Sequence, residues 1–550
     1  MTLIKSLLLG SAAGIVVVAS AQAADLPTHK AAPVQYVQIC NVGGITGWTL
    51  PGSDTCVKFS GYITAQFTGG NLNTQYNWAS TALYSNFVTG LPFPASVSRS
   101  FPQLLVAASD SQLNTTFYRH ETGWTTRANF GFSFASNTAW GPLIGHFDIN
   151  SDMGNGFDDI SSNTYLNTGY LTWAGITAGK AQSFFSFTGG GDNWANIFSP
   201  DRKGFNEPLL LAYTASFGGG FSATISAESP GAVGSSGGGT QMTGAGGAAS
   251  NVGNITFGGF RWPDIVGALH YKGVWGEAQL SGVIHDVNVV DNQSHGGFDC
   301  GAGPILGFTA ACNGEYQHTG WGVDAGVKFN LQNWMGGFWG AGDDIIVTGA
   351  YTQSATWYSG LPDGMWGENG QVNGNGQPMY LADAYFNPIT NQWAKPDAWS
   401  VTAILEHHFT PQFYVDLEGS YGGIRWNNQG GCTWTVVNEG LCPGGIFGLG
   451  GPLSPNARSW IVGADLGWNP VTNLNFDLEL MYQGTTQDTP NGVIGTIYGL
   501  NNAGLPSGIY NVGTGTFIPG TGGTTGVFVP GAWHGNSDGF AGRFRITRYF

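Results

Sequence analysis

Charge is what this sequence has least of. Lysine plus arginine number 18 and aspartate plus glutamate 34 in 550 residues, so charged side chains make up 9% of the chain, against roughly 25% in ordinary soluble proteins. A set of water-soluble domains of this total length is therefore disfavoured. The formal net charge of −16 also sets the chain against nucleic acid, whose phosphates are met by lysine and arginine. After residue 23 no run of eighteen apolar residues occurs, which leaves the mature chain without a helical membrane span. A glycine-rich adhesin or β-solenoid would need a fixed short repeat, and none is found. There is no G-x-S-x-G, and the six cysteines lack the C-x₂-C spacing of a zinc site. The residues call for no enzyme chemistry, cofactor or metal.

What the chain does have is glycine, 90 residues, and aromatics, 13%. Both suit a tilted sheet with an aromatic rim and long loops. Residues 1–23 read as a signal peptide: Lys5 is the positive start, Leu7 to Ala19 the apolar stretch, and Ala21-Gln22-Ala23 the cleavage site. An exported chain can hold disulfides, and the cysteines fall into three sequence-local pairs, Cys40 with Cys56, Cys300 with Cys312, and Cys432 with Cys442.

The last residues show the governing pattern. Phe540, Gly542, Phe544, Ile546 and Phe550 share one face, while Arg543, Arg545, Thr547 and Tyr549 share the other. A strand turns successive side chains to opposite sides. The same alternation recurs about sixteen times, with no second layer to cover the oily faces. The solution is a transmembrane antiparallel β-barrel, apolar side to lipid and polar side to a water-filled interior. The expected strands lie near 57–67, 124–135, 143–150, 163–173, 175–183, 208–217, 221–229, 264–272, 274–285, 320–331, 343–355, 397–409, 412–422, 458–468, 472–483 and 537–550. The fourteenth and fifteenth flank an Asn469-Pro470 turn, and Asn254 to Trp262 is a further strand candidate. Connections alternate long and short throughout, as extracellular loops and periplasmic turns do. A β-sandwich would lack this alternation. Residues 24–56 form a periplasmic lead-in and 57–550 the barrel.

In this register the acids fall on the inner face: Asp148, Glu228, Glu277, Asp324, Glu406, Asp416, Glu418, Asp465, Asp477 and Glu479. A carboxylate in lipid costs several kcal/mol, so these face water. Inward bases are fewer and include Lys58, Arg127, Lys272, Lys328, Arg543 and Arg545. They either hydrate the interior or set a transverse field that tunes ion selectivity. Loop 184–207 carries Asp192, Asp201, Arg202, Lys203 and Glu207 among Phe184, Phe185, Phe187, Trp194 and Phe198. With so much aromatic surface it is either an ordinary extracellular tip or a segment folded into the barrel. Arg548 lies on the lipid face but close enough to the end to reach headgroups. His407 and His408 point to opposite faces.

Several segments resemble the alpha-proteobacterial porin family. They are Lys5-Ser6-Leu7-Leu8-Leu9-Gly10-Ser11-Ala12-Ala13; Cys40 to Cys56 followed by Val57-Lys58-Phe59-Ser60-Gly61-Tyr62; Ala181-Gln182-Ser183-Phe184-Phe185; and Arg545-Ile546-Thr547-Arg548-Tyr549-Phe550. The resemblance implies a sixteen-stranded, homotrimeric outer-membrane barrel for passive diffusion of small hydrophilic solutes and ions, with the third loop folded inside. It also implies that Phe550 helps recognition by the barrel-assembly machinery. The chain is longer than this family leads one to expect, with the excess in loops such as 68–122, 357–396 and 484–535. The expected function is a general diffusion channel in the bacterial outer membrane, mildly cation-selective. Acids of loop 184–207 would face Arg127, Arg543 and Arg545 across its narrowest part. The rivals are a substrate-specific channel, for oligosaccharides for example, and a barrel-anchored adhesin or receptor.

Overall fold

The computed structural model describes residues 38–70, 122–156, 162–188, 207–229, 255–257, 261–291, 315–361, 383–387, 392–427, 456–487, 494–495, 508–511, 516–519 and 536–550. Sixteen antiparallel strands form its wall. They are β1 (Cys56–Gly70), β2 (Thr122–Thr138), β3 (Gly141–Gly156), β4 (Asn163–Trp173), β5 (Ile176–Lys180), β6 (Leu209–Gly218), β7 (Phe221–Glu228) and β8 (Asp264–Gly273). The second half comprises β9 (Gly276–Asp291), β10 (Glu315–Asn330), β11 (Asp344–Gln353), β12 (Pro396–Thr410), β13 (Phe413–Trp426), β14 (Ala457–Val471), β15 (Leu474–Gln487) and β16 (Asn536–Tyr549). Each pairs with its neighbours in sequence, and β16 pairs with β1 from Ala541↔Gly70 to Tyr549↔Tyr62. That last pairing closes the sheet, so no edge is left with unpaired backbone groups in hydrocarbon. Beyond it, the Phe550 N–H donates to the Gly61 carbonyl at 3.0 Å.

Alternation along each strand sorts the side chains. On β16, Phe540 and Phe544 are 55% and 41% exposed, whereas Arg543 and Arg545 are 2% exposed. Two aromatic belts bound the apolar exterior. The periplasmic belt runs through Phe221, Tyr271, Trp275, Phe329 and Trp334, then Phe413, Trp468, Phe476 and Phe544, with successive ring centroids 4.7–6.3 Å apart within each group. The extracellular belt includes the pairs Trp321–Tyr351, Trp399–Tyr421 and Trp460–Tyr482. From Phe413 to Tyr421 the strand climbs about 26 Å, or about 20 Å along the axis at a tilt of about 40°. The belts at its two ends thus flank most of the apolar band of an outer-membrane barrel, about 25 Å tall.

Some details differ from the sequence-based expectation. Pro470 is not in a turn: β14 runs on to Val471 with a register irregularity between Trp468 and Val471. A residue without an N–H is tolerated at such a bulge, and the chain reverses instead at Asn473, whose φ is 63°. The segment Ile255–Phe257 pairs with the far end of β9 without entering the closed ring. The fifth strand ends at Lys180, and the chain then leaves the wall.

The chain before β1 holds a small hairpin, Ile39–Val42 with Ile45–Thr49, turning at Gly43 and Gly44, both at positive φ. It extends the sheet at the base of β1 through Trp48↔Val57, and the Cys40–Cys56 disulfide staples it there. Cutting this bond with Cys40→Ser should lower stability by up to about 3 kcal/mol, the chain-entropy value for a loop of this size. It should free the hairpin to protease while the barrel still forms. The check is limited proteolysis beside an unfolding titration. Cys300, Cys312, Cys432 and Cys442 lie outside the described residues.

The connection between β10 and β11 is the longest of the described turns at that end and begins with α1 (Leu331–Trp334). Asp343 organises it. Its carboxylate accepts the backbone N–H of His408 at 2.7 Å and of Gly340 at 2.9 Å, and meets His407 Nδ1 at 2.7 Å. Burial alone would raise its pKa, but these hydrogen bonds outweigh burial and hold it below the usual carboxylate range. The His407 ring stacks on Phe338 outside the barrel, while His408 lies against Tyr414. Arg548 Nη1 donates to the carbonyls of Asn473 and Tyr549 at the same end.

Candidate functional site

The interior divides into two arcs. Among the described residues the first is wall alone, on β15, β16 and β1 to β4. Register sets Glu479 opposite Arg543 and Asp477 opposite Arg545, then Arg545 opposite Gln66. Arg543 donates to Glu479 Oε2 from Nε (3.1 Å) and Nη2 (2.7 Å), and Arg545 to Gln66 Oε1 from Nε (2.9 Å) and Nη2 (2.5 Å). Arg127 grips Asp152 with Nε at 2.7 Å and Nη2 at 2.9 Å, and the Tyr165 hydroxyl donates to the same carboxylate at 3.2 Å. Two-pronged arginine–carboxylate contacts are strong and directional. They hold Arg543 and Arg127 in fixed positions on one side of the interior, and the Gln66 amide oxygen holds Arg545 beside them.

The wall itself therefore partners these arginines. Of the loop acids and bases expected to face them, Asp192, Asp201, Arg202 and Lys203 lie outside the described residues. Glu207 sits 3.7 Å from the Lys180 ammonium. Asp152, Tyr165 and Gln66 were not singled out from sequence as site residues. Asp152 had a signal: it shares the parity of His146, Asp148 and Asn150, and β3 runs past Asn150 to Gly156.

Next to this arc lies a row of carboxylates on adjacent strands. Asp344 is opposite Glu406, Glu406 opposite Asp416, Asp416 opposite Asp465, and Asp465 opposite Glu479, where Arg543 ends the row. At its other end Lys328 Nζ is 2.7 Å from Asp344. Residues directly opposite have Cβ atoms about 5 Å apart, and like charges there repel. Such a row makes the local potential negative. Asp477 accepts the Tyr414 hydroxyl at 2.9 Å. Glu418 is on the same face beside Gly463. Asp324 accepts Thr348 Oγ1 at 3.0 Å. Asp148 accepts Asn129 Nδ2 at 3.0 Å and the Thr168 hydroxyl. Glu277 pairs with Lys272 and His270 near the periplasmic end, where Glu406 and Lys58 are also solvent-accessible.

The second arc, β7 to β13, is covered by two loops. After Lys180 the chain turns inward as the third long connection (L3). Its Ser183 hydroxyl and Phe184 N–H donate to Glu228 at 2.6 and 3.1 Å, and the Phe185 carbonyl accepts Ser281 Oγ at 2.5 Å. Gln279 Nε2 reaches the carbonyls of Phe184, Phe185 and Ser186 at 3.2–3.4 Å. Phe187 lies over Gly326, where any Cβ would collide with its ring. Glu228, expected merely to line the wall, is thus the hook of L3.

The sixth long connection (L6) also enters. Tyr358 packs edge-on against Phe185, centroids 5.0 Å apart, and both join Val266, Val283 and Ala355 in one buried apolar cluster. Around it sits a buried polar group: the Tyr358 hydroxyl donates to Asp264 Oδ2 at 2.5 Å, and His285 Nδ1 lies 2.9 Å from Asp264 Oδ1. Burial, reinforced by Asp264, pushes the Tyr358 phenol well above its ordinary range, so it stays a donor. Ser133, His146 and Asp148 also line up (2.8 and 3.5 Å), but on a flat strand pair; Ser133 meets Nδ1, and Asp148 is engaged by Thr168 and Asn129. No oxyanion site accompanies them among the described residues.

A closed sixteen-strand barrel with an apolar exterior, a charged inner face and a loop folded into it defines an outer-membrane porin, a channel and not an enzyme. The chain belongs to the porin subfamily: the Porin_2 family model matches residues 25–504. It is 29% identical over 429 residues to porin Omp2a of Brucella ovis, covering 76% of this chain and 98% of that protein. To porin Omp2b of Brucella suis biovar 1 it is 27% identical over 440 residues, 77% and 94% of the two chains. The resemblance to alpha-proteobacterial porins is therefore borne out. Among solved structures, the outer membrane channel DcaP of Acinetobacter baumannii aligns with 92% of this chain and 99% of its own at 11% identity and a TM-score of 0.48.

Proposed function

We propose that the channel passes small hydrophilic solutes and ions by diffusion, with a mild preference for cations. The observation that supports this reading best is the pair of unlike arcs. Fixed arginines stand on one side and L3 on the other, with the carboxylate row of β11 to β15 running between them, so that a solute crosses a transverse field in a narrowed section. Asp192, Asp201, Arg202, Lys203 and Glu207 of L3, with Arg127, Arg543 and Arg545, are its proposed constriction. Inward carboxylates outnumber inward bases, and the formal net charge is −16, which supports the sign of the preference.

In the same reading residues 1–23 are removed on export and 24–56 stay periplasmic. Phe550 is read by the assembly machinery, and three copies associate in the outer membrane. Purified protein in planar bilayers under a salt gradient should give a reversal potential of cation sign that shrinks as ionic strength rises. A potential of anion sign would refute the selectivity. The absence of discrete conductance steps would refute diffusion through the barrel.

A further inference from the structure

L3 is not the only segment that enters the barrel. We infer that L6 is a built second part of the passage: its arm 354–361 is pinned inside above L3, and the two together set the largest solute that passes. This rests on the diffusion reading just given.

Three anchors hold the arm, each on a different partner. Tyr358 donates to Asp264 on β8 at 2.5 Å, and Ser400 Oγ on β12 donates to the Ser359 carbonyl at 2.5 Å. Thr356 gives both its N–H (2.7 Å) and its hydroxyl (2.9 Å) to Asp383 Oδ1, on the returning side of the same loop. His285 stands between wall and loop, with Nδ1 2.9 Å from Asp264 and Nε2 3.4 Å from Asp383. These groups are all almost fully buried. Tyr358, Thr356, Ser359 and Ser400 are all matched, and only His285 Nε2, facing Asp383 at 3.4 Å, and Ser354 Oγ lack a hydrogen bond; a loop that merely drifted into the opening would leave most such groups unmatched.

The wall is shaped for the arm as well. A Cβ at Gly422 of β13 would lie 2.5 Å from Leu361 Cδ2 and equally close to the Trp399 carbonyl of the neighbouring strand, so Leu361 seats over an inward position that is bare. Gly326 does the same for Phe187 of L3. Depth follows from register. Ile284, next to His285, pairs with Trp321 of the extracellular belt, whereas Ser281 and Gln279, which hold L3, lie nearer the periplasm. L6 therefore overlies L3, and the Phe185–Tyr358 contact joins the two tiers. Among the described residues no loop is anchored on the arginine arc opposite.

Two measurements test this. In the combined variant Tyr358→Phe, Thr356→Val, Asp383→Asn, Ser400→Ala the arm loses both hydroxyl bonds and its bond from Ser400, which should shift its docked-to-released ratio by roughly a hundred-fold. The result expected is a higher conductance level than wild type and faster entry of trisaccharides relative to monosaccharides in liposome swelling. Wild-type conductance and wild-type sugar ratios in a folded, heat-modifiable variant would overturn the inference. Independently, the pair Ser359→Cys with Ser400→Cys, at the point where the wall side chain meets the arm's backbone, should cross-link on oxidation in the folded barrel and keep wild-type conductance. A folded barrel that does not cross-link would also overturn it. If wild type formed no pores at all, the diffusion reading would fail, while the cross-link would still report whether L6 is docked.

Discussion

Arg543→Ala should destabilise the barrel by about 3–5 kcal/mol, the cost of stripping one partner from a buried ion pair. Arg543 and Glu479 are 2% and 1% exposed in their side chains and share two contacts at 2.7 and 3.1 Å. What Glu479 keeps when the guanidinium goes makes the effect large. Asp465 is directly opposite it, and Asp477 is two residues away on the same face. The carboxylate row loses the cation that ends it, so repulsion within the row adds to the desolvation of Glu479. Removing both partners, Arg543→Ala with Glu479→Ala, should recover most of the loss, because no uncompensated charge remains. Guanidinium unfolding from phospholipid bilayers measures both. A single variant as stable as wild type would mean that the interior there is as wet as bulk water. The variant that folds should also become more cation-selective, since one fixed positive charge has left the passage.

How much of this was legible in the sequence follows from what a membrane barrel must repeat. Lipid punishes every outward charge, so the two-residue alternation is enforced on all sixteen strands. In β15, Phe476, Leu478, Leu480 and Tyr482 alternate with Asp477 and Glu479, and strand number, parity and the long-short order of connections could be read directly. Which side chains meet is a different matter. Pairing between strands depends on shear and turn geometry, which no single strand encodes. Sequence alone sets acids of loop 184–207 across from Arg127, Arg543 and Arg545 but gives no sign that Asp152, Glu479 and Gln66 are their partners on the wall, where register brings them together. Asp264 had the right parity, but its importance comes from Tyr358 and Asp383, more than ninety residues away in sequence and on a loop without periodicity. The N-terminal hairpin did leave a trace, the Gly43-Gly44 pair between two β-branched, aromatic-containing runs. The short fifth strand left none, because the apolar residues that follow it pack inside the barrel instead of facing lipid.

The second large effect concerns the outer face. Leu417→Arg should cost about 2–4 kcal/mol, the penalty for arginine near the bilayer midplane of a barrel. Leu417 is 49% exposed, pairs with Leu405 and Ala464 on its two sides, and sits midway between Phe413 of the periplasmic belt and Tyr421 of the extracellular one. From that depth a guanidinium reaches either headgroup layer only by thinning the bilayer or drawing water into it. Its neighbours in sequence, Asp416 and Glu418, bring carboxyl groups to the same height without that penalty because their side chains point to the other side of the sheet. The control is depth. Phe413→Arg, at the belt, should cost only about 0–1 kcal/mol from the same source. Unfolding free energies of the two variants in bilayers of matched thickness give the comparison. Equal costs at 413 and 417 would show that this face of β13 meets something other than hydrocarbon, such as the flank of a second barrel. Arg548 already shows what the outer face tolerates: it stands at the very end of β16, bonded to two backbone carbonyls at the periplasmic rim.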